Sequence, residues 1–258
     1  MKKLTNDNLG IFYTCFTEID SVNYAIDTLR LIYDKVPIFL VSDGGADYSF
    51  IMDKYENILC LREHDSRGFV PEIPPEKYKE DKWQYMIEKS VLDFLDRVKR
   101  AIDYCGTEYI LVMEPDVLVR GFLSVPEDAN LLGSRLNQGL SEELKSIMRS
   151  INGAIEVNCW GATPAIFKSK KFIEVYENIK NKNNILKKIC FSDCRFANYD
   201  IVFPVLFGLM GMEETFNPEI TECLRDPNWE NNNKPLVHQF RIYYPRNNYQ
   251  GRHYKEIQ

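Results

Sequence analysis

An excess of basic charge is missing from this sequence. Its 32 Lys and Arg are outnumbered by 38 Asp and Glu, for a formal net charge of -6, whereas a general nucleic-acid binder carries a basic footprint. The C-terminal stretch is locally basic, with Arg241, Arg246, Arg252 and Lys255, as a solvated surface or a diphosphate clamp would be. Long apolar runs are missing too. No stretch approaches the ~18 apolar residues that mark a membrane span, so no integral membrane segment is expected. The opening Met1-Lys2-Lys3-Leu4-Thr5-Asn6-Asp7 turns polar and acidic before any apolar core appears, unlike a secretory signal. Paired cysteines are scarce. Among Cys15, Cys60, Cys105, Cys159, Cys190, Cys194 and Cys223, only Cys190 and Cys194 are close, and no second pair has zinc-ligand spacing. Cysteines scattered through apolar contexts act as small hydrophobes, and a reducing, cytoplasmic setting is expected.

What is present is an ordinary globular composition, 45% hydrophobic and 27% charged over 258 residues. A chain of this length buries about 70–75% of its unfolded surface and needs no disulfide to fold. The apolar run Gly10–Phe16 fits a buried strand. Ser21 is expected to cap a helix reaching about Lys35, with Ala25, Leu29 and Ile32 inward. Strands are expected at Val36–Ser42 and Asn57–Leu61, separated by a short helix from Tyr48 to Tyr55. This β-α-β-α-β order predicts an α/β fold with a mostly parallel central sheet. Residues 62–80, with three prolines, read as a long irregular connection, followed by an amphipathic helix from Asp81 to about Tyr104. The apolar strand Tyr109–Met113 comes next. Further strands are expected at 130–136, 155–160 and 236–240, and helices at 169–180 and about 195–210.

Ligands of open α/β sheets bind at the carboxyl ends of the strands, where strand order reverses. Acids stand at those ends here: Asp43 in Asp43-Gly44-Gly45, Glu63 to Asp65, and Glu114-Pro115-Asp116 directly after Tyr109–Met113. Two acids separated by one residue can chelate a hard divalent cation, Mn²⁺ or Mg²⁺, on a diphosphate. Each candidate also has a bland reading. Asp43 fits a turn cap, and Asp200 fits an acid favoured by a helix N-terminus. His238 fits a hydrogen-bonded core histidine, Trp160 core filling, and Arg97 a surface arginine.

The run Tyr109–Arg120 (YILVMEPDVLVR) resembles the Asp-x-Asp segment of glycosyltransferases with the A fold, and the retaining, glycogenin-like galactosyl- and glucosyltransferases in particular. Ile11–Phe16 resembles the first nucleotide-binding strand of that family, and Val41–Gly45 the acid-Gly turn of its second. The resemblance implies a single Rossmann-like GT-A domain, with a nucleotide-sugar half at about 1–120 and an acceptor half with a smaller antiparallel portion at about 121–258. It implies Asp116, Glu114 and His238 as ligands of Mn²⁺ or Mg²⁺, although Glu114 stands where the family usually has Asp. Thr14, Asp43, Arg97, Glu114 and Trp160 become donor contacts. Asp200, in Asn198-Tyr199-Asp200, matches the catalytic base of inverting members. The activity implied is transfer of a sugar from a nucleotide-diphospho-sugar, with UDP expected, to a hydroxyl of a glycan, lipid or protein. A non-catalytic nucleotide- or carbohydrate-binding relative stays open. A sugar-1-phosphate nucleotidyltransferase is disfavoured, because Thr14-Cys15-Phe16-Thr17-Glu18 is acidic where a basic phosphate loop belongs.

Overall fold

The computed structural model describes all residues except 16, 44, 64–80, 134–139, 158–162, 181–184, 187, 190–198, 223–230, 232 and 239–258. In chain order the elements are β1 (Lys2–Lys3), β2 (Leu9–Cys15), α1 (Ile19–Ile32), β3 (Ile38–Asp43), α2 (Phe50–Lys54), β4 (Ile58–Glu63), α3 (Asp81–Cys105), β5 (Tyr109–Met113), β6 (Val117–Val119), β7 (Ser124–Val125) and β8 (Leu131–Gly133). There follow α4 (Glu142–Arg149), β9 (Ala165–Lys168), α5 (Ser169–Lys180), α6 (Tyr199–Gly208), β10 (Glu214–Phe216), β11 (Ile220–Glu222) and β12 (Leu236–His238).

A seven-stranded sheet runs β10-β8-β9-β5-β2-β3-β4. Strands β4, β3, β2 and β5 are mutually parallel, and β9 alone runs against its neighbours β5 and β8. The sheet is therefore mostly parallel and flanked by helices, as the β-α-β-α-β order implies. Successive residues of a strand face opposite sides, and both sides are covered. Phe12, Phe39, Val41, Ile110 and Val112 pack with Val91, Phe94, Leu95 and Val98 of α3 and with Phe203 and Phe207 of α6. Ile11, Tyr13, Ile38, Leu40, Leu111 and Met113 join Val22, Ala25, Ile26 and Leu29 of α1 on the other side. Burial on both faces explains why these strands read as continuous apolar runs.

A second, three-stranded sheet, β11-β12-β6, supplies the small portion with antiparallel pairing. A third pairing, β1 with β7, ties the N-terminus down.

Some boundaries differ from expectation. Helix α1 starts two residues before Ser21, with Glu18 at its N-cap, and the Ser21 hydroxyl donates back to the Glu18 carbonyl at 3.1 Å. Residues 155–157 form no strand. The Ile155 amide donates to the Gly208 carbonyl at the end of α6 (2.9 Å), so that backbone serves a helix terminus rather than a ladder. On the side away from β2, β5 pairs with β9, which begins five residues past the expected strand's end. Residues 239 and 240 of the expected last strand lie outside the described residues, as do 134–136 and 195–198 of other expected elements.

Candidate functional site

The chain passes from β2 to β3 and β4 on one side, while β5 lies on the other side of β2. Strand order thus reverses between β2 and β5, and the crevice outside their carboxyl ends is where such folds take ligands. In register, Tyr13 pairs with Met113, Thr14 with Val41, Cys15 with Ser42, and Asp43 with Glu63. The ends of four parallel strands therefore bring Thr14, Asp43, Glu63 and Glu114 to one edge.

The chain leaves β5 through a tight turn. The Val117 amide donates to the Glu114 carbonyl at 3.0 Å, with Pro115 and Asp116 between them. Proline pre-sets the backbone for the second position of such a turn, which leaves Asp116 at its corner. Strand β6 then pairs antiparallel with β12, His238 opposite Val117. This register sets the imidazole beside the turn. His238 Nε2 lies 3.9 Å from Asp116 Oδ1, and the two side chains are only 8% and 16% exposed. His238 is thus buried in an apolar strand and also faces the acid of the motif.

Glu114 takes a separate contact: the Thr163 hydroxyl donates to its Oε1 at 3.3 Å. Arg97, 2% exposed on α3, donates from Nε to Glu63 Oε2 at 3.0 Å, and Arg100 pairs with the other oxygen of Glu63. Arg97 therefore meets the sheet edge through the acid that ends β4. Asp43 ends β3 and Asp200 is the second residue of α6; their side chains, and all of Trp160, lie outside the described residues.

Carboxylate oxygen and imidazole nitrogen suit a divalent ion such as Mn²⁺, with Mg²⁺ preferring oxygen alone. Among the described residues no group of three or more His, Cys, Asp or Glu converges as a metal shell. The donor pair Asp116–His238 still fits a cation that takes its other ligands from diphosphate and water, which is the usual habit of such ions at phosphate sites. Two features of the site escaped the sequence reading. Thr163 precedes a four-residue strand too short to be singled out, and the role of Glu63 as partner to two arginines depends on contacts far apart in the chain.

Sheet, switch point and site together define a mostly parallel α/β protein with an acid–imidazole pair at the carboxyl end of its central strand. No protein-family model and no curated protein matches the chain. Among solved structures it is similar to an active-site mutant of LgtC, with a TM-score of 0.48 and 12% identity over 88% of this chain and 86% of that one. The galactosyltransferase LgtC in complex with donor and acceptor sugar analogs gives 0.47 and 13% over the same shares. The mannosyltransferase Ktr4p from S. cerevisiae gives 0.40 and 12%, over 76% of this chain and 67% of that one. No helix among the described residues is long and apolar enough to cross a membrane.

Proposed function

We propose that this protein is a metal-dependent glycosyltransferase, moving a sugar from a nucleotide-diphospho-sugar, with UDP as nucleotide, to a hydroxyl of a glycan, lipid or protein. The observation that carries the reading is the approach of His238 to Asp116 across 3.9 Å, at the turn that ends the central strand. The likeness of Tyr109–Arg120 to an Asp-x-Asp segment supports the same reading.

In this account Asp116 and His238 hold Mn²⁺, or Mg²⁺ as the weaker fit, and Glu114 stands beside them. A divalent cation held there would supply Lewis-acid stabilisation of the departing nucleoside diphosphate. Thr14 and Asp43 serve the donor nucleotide from the ends of β2 and β3, and Arg97 contributes through Glu63. Trp160 lines the sugar. Residues 1–120 form the donor half and 121–258 the acceptor half. Asp200, at the N-terminus of α6, takes the proton of the acceptor hydroxyl if the reaction inverts, a contribution of about 10²- to 10⁴-fold. The protein works in the cytoplasm, where its thiols stay reduced.

The test is hydrolysis or transfer from a panel of UDP-sugars, with Mn²⁺ and with chelator. The account expects turnover that needs Mn²⁺ and falls at least about 100-fold in Asp116→Ala, the order seen when a group that stabilises developing charge is removed. Binding of UDP and Mn²⁺ without turnover of any donor would identify a non-catalytic binder instead.

A further inference from the structure

Strands β5 and β9 run antiparallel, with Tyr109 opposite Lys168, Ile110 opposite Phe167, Leu111 opposite Ile166 and Val112 opposite Ala165. Each step along one strand is a step back along the other. Continued past the last ladder pair, this register sets Met113 against Pro164 and Glu114 against Thr163. The side chains meet there: Thr163 Oγ1 lies 3.3 Å from Glu114 Oε1, and Thr163 is 5% exposed. Because β9 runs against the parallel strands, its N-terminal end reaches the edge that holds the carboxyl ends of β2, β3 and β5.

We infer that Thr163 is a positioning residue, whose hydroxyl holds the Glu114 carboxylate in one orientation beside the Asp116 turn. The physical need is specific to this chain. Glu114 has one more rotatable bond than an aspartate at the same place, and ordering a glutamate side chain costs more rotamer entropy. A buried β-branched residue is itself stiff, so its hydroxyl offers a fixed donor to this long acid. The inference rests on the proposed donor site, since the held carboxylate matters only if it faces a ligand.

The test is calorimetric titration of UDP in the presence of Mn²⁺. Thr163→Val keeps the shape and drops the hydroxyl; it should weaken UDP affinity about three- to tenfold, the scale of one ordinary hydrogen bond lost. Thr163→Ser should return affinity to within about twofold of wild type, because it restores the donor. In a Glu114→Ala background, Thr163→Val should have no further effect on affinity, the non-additivity expected of groups that act through each other. If valine is not accommodated, Thr163→Ala serves the same comparison. Wild-type affinity in the hydroxyl-less variants, or their failure to fold, would make the contact structural and overturn the inference alone. A wild-type protein that binds no UDP with Mn²⁺ would overturn the functional reading, and this inference with it.

Discussion

Asp93 and Arg97 sit one turn apart on α3 and illustrate how differently two charges fare there. Burial pushes the Asp93 carboxyl above its ordinary value, while Lys89 and Arg97 pull it back. A carboxyl held more firmly protonated in the folded state contributes its stability below the unfolded value, about 3.9 for Asp. That contribution is lost as pH rises through the folded value. Asp93→Asn, neutral throughout, should therefore melt above wild type near pH 7, with the gap closing toward about pH 4 as the wild-type acid protonates. A lower melting temperature for the variant at neutral pH would mean that the attraction of Arg97 outweighs burial. Arg97 itself was legible as a basic residue 17 positions before Glu114. Its burial and its partner were not, because both arise from β4 and α3 meeting in space. The cysteines follow their apolar contexts: burial lifts Cys60 and Cys105 to about 12, so both stay thiols at neutral pH.

Elements were legible in proportion to how much of their cause is local. Tyr109–Met113 shows five buried residues in a row, and its apolar run marks it without help from the rest of the chain. The amphipathic period of α3 does the same over 25 residues, and Gly106, at φ 62, ends that helix with an amide donated to Ile102. Strands β9, β10 and β11 have three or four residues each. Their cause is distant pairing, such as Phe216 beside Gly133, and no local pattern announces it. Helix α4 is different, since its cause is local. Ser141 accepts the Leu144 amide at 3.1 Å, and Glu142 and Glu143 fill the first turn, which is a capped start readable from sequence. Gly10 on β2 lies tight against the end of α3. A Cβ there would stand 2.6 Å from both Cys105 Cβ and Thr107 Oγ1. Gly10→Ala should cost about 1–3 kcal/mol in chemical denaturation, the range for an overpacked core. An unchanged midpoint would show that the α3–β5 connection can move away at no cost.

At the scale of the molecule, the site is an intersection. The mostly parallel sheet delivers Thr14, Asp43, Glu63 and Glu114 to one edge, and the small sheet carries His238 to the turn that holds Asp116. The first half of that arrangement could be read from strand ends alone. The second required knowing that β12 pairs with β6, since His238 in its own segment is only a histidine among apolar residues. The most direct test of this convergence is a thermal-shift titration of UDP with and without Mn²⁺, on wild type and Asp116→Ala. Saturating UDP at about 100 times its dissociation constant stabilises a folded protein by about 2.7 kcal/mol. For wild type the account predicts a clear upward shift that requires Mn²⁺, and for Asp116→Ala, folded but unshifted, none. An equal, Mn²⁺-independent shift in both proteins would contradict it, by removing Asp116 and the cation from nucleotide binding.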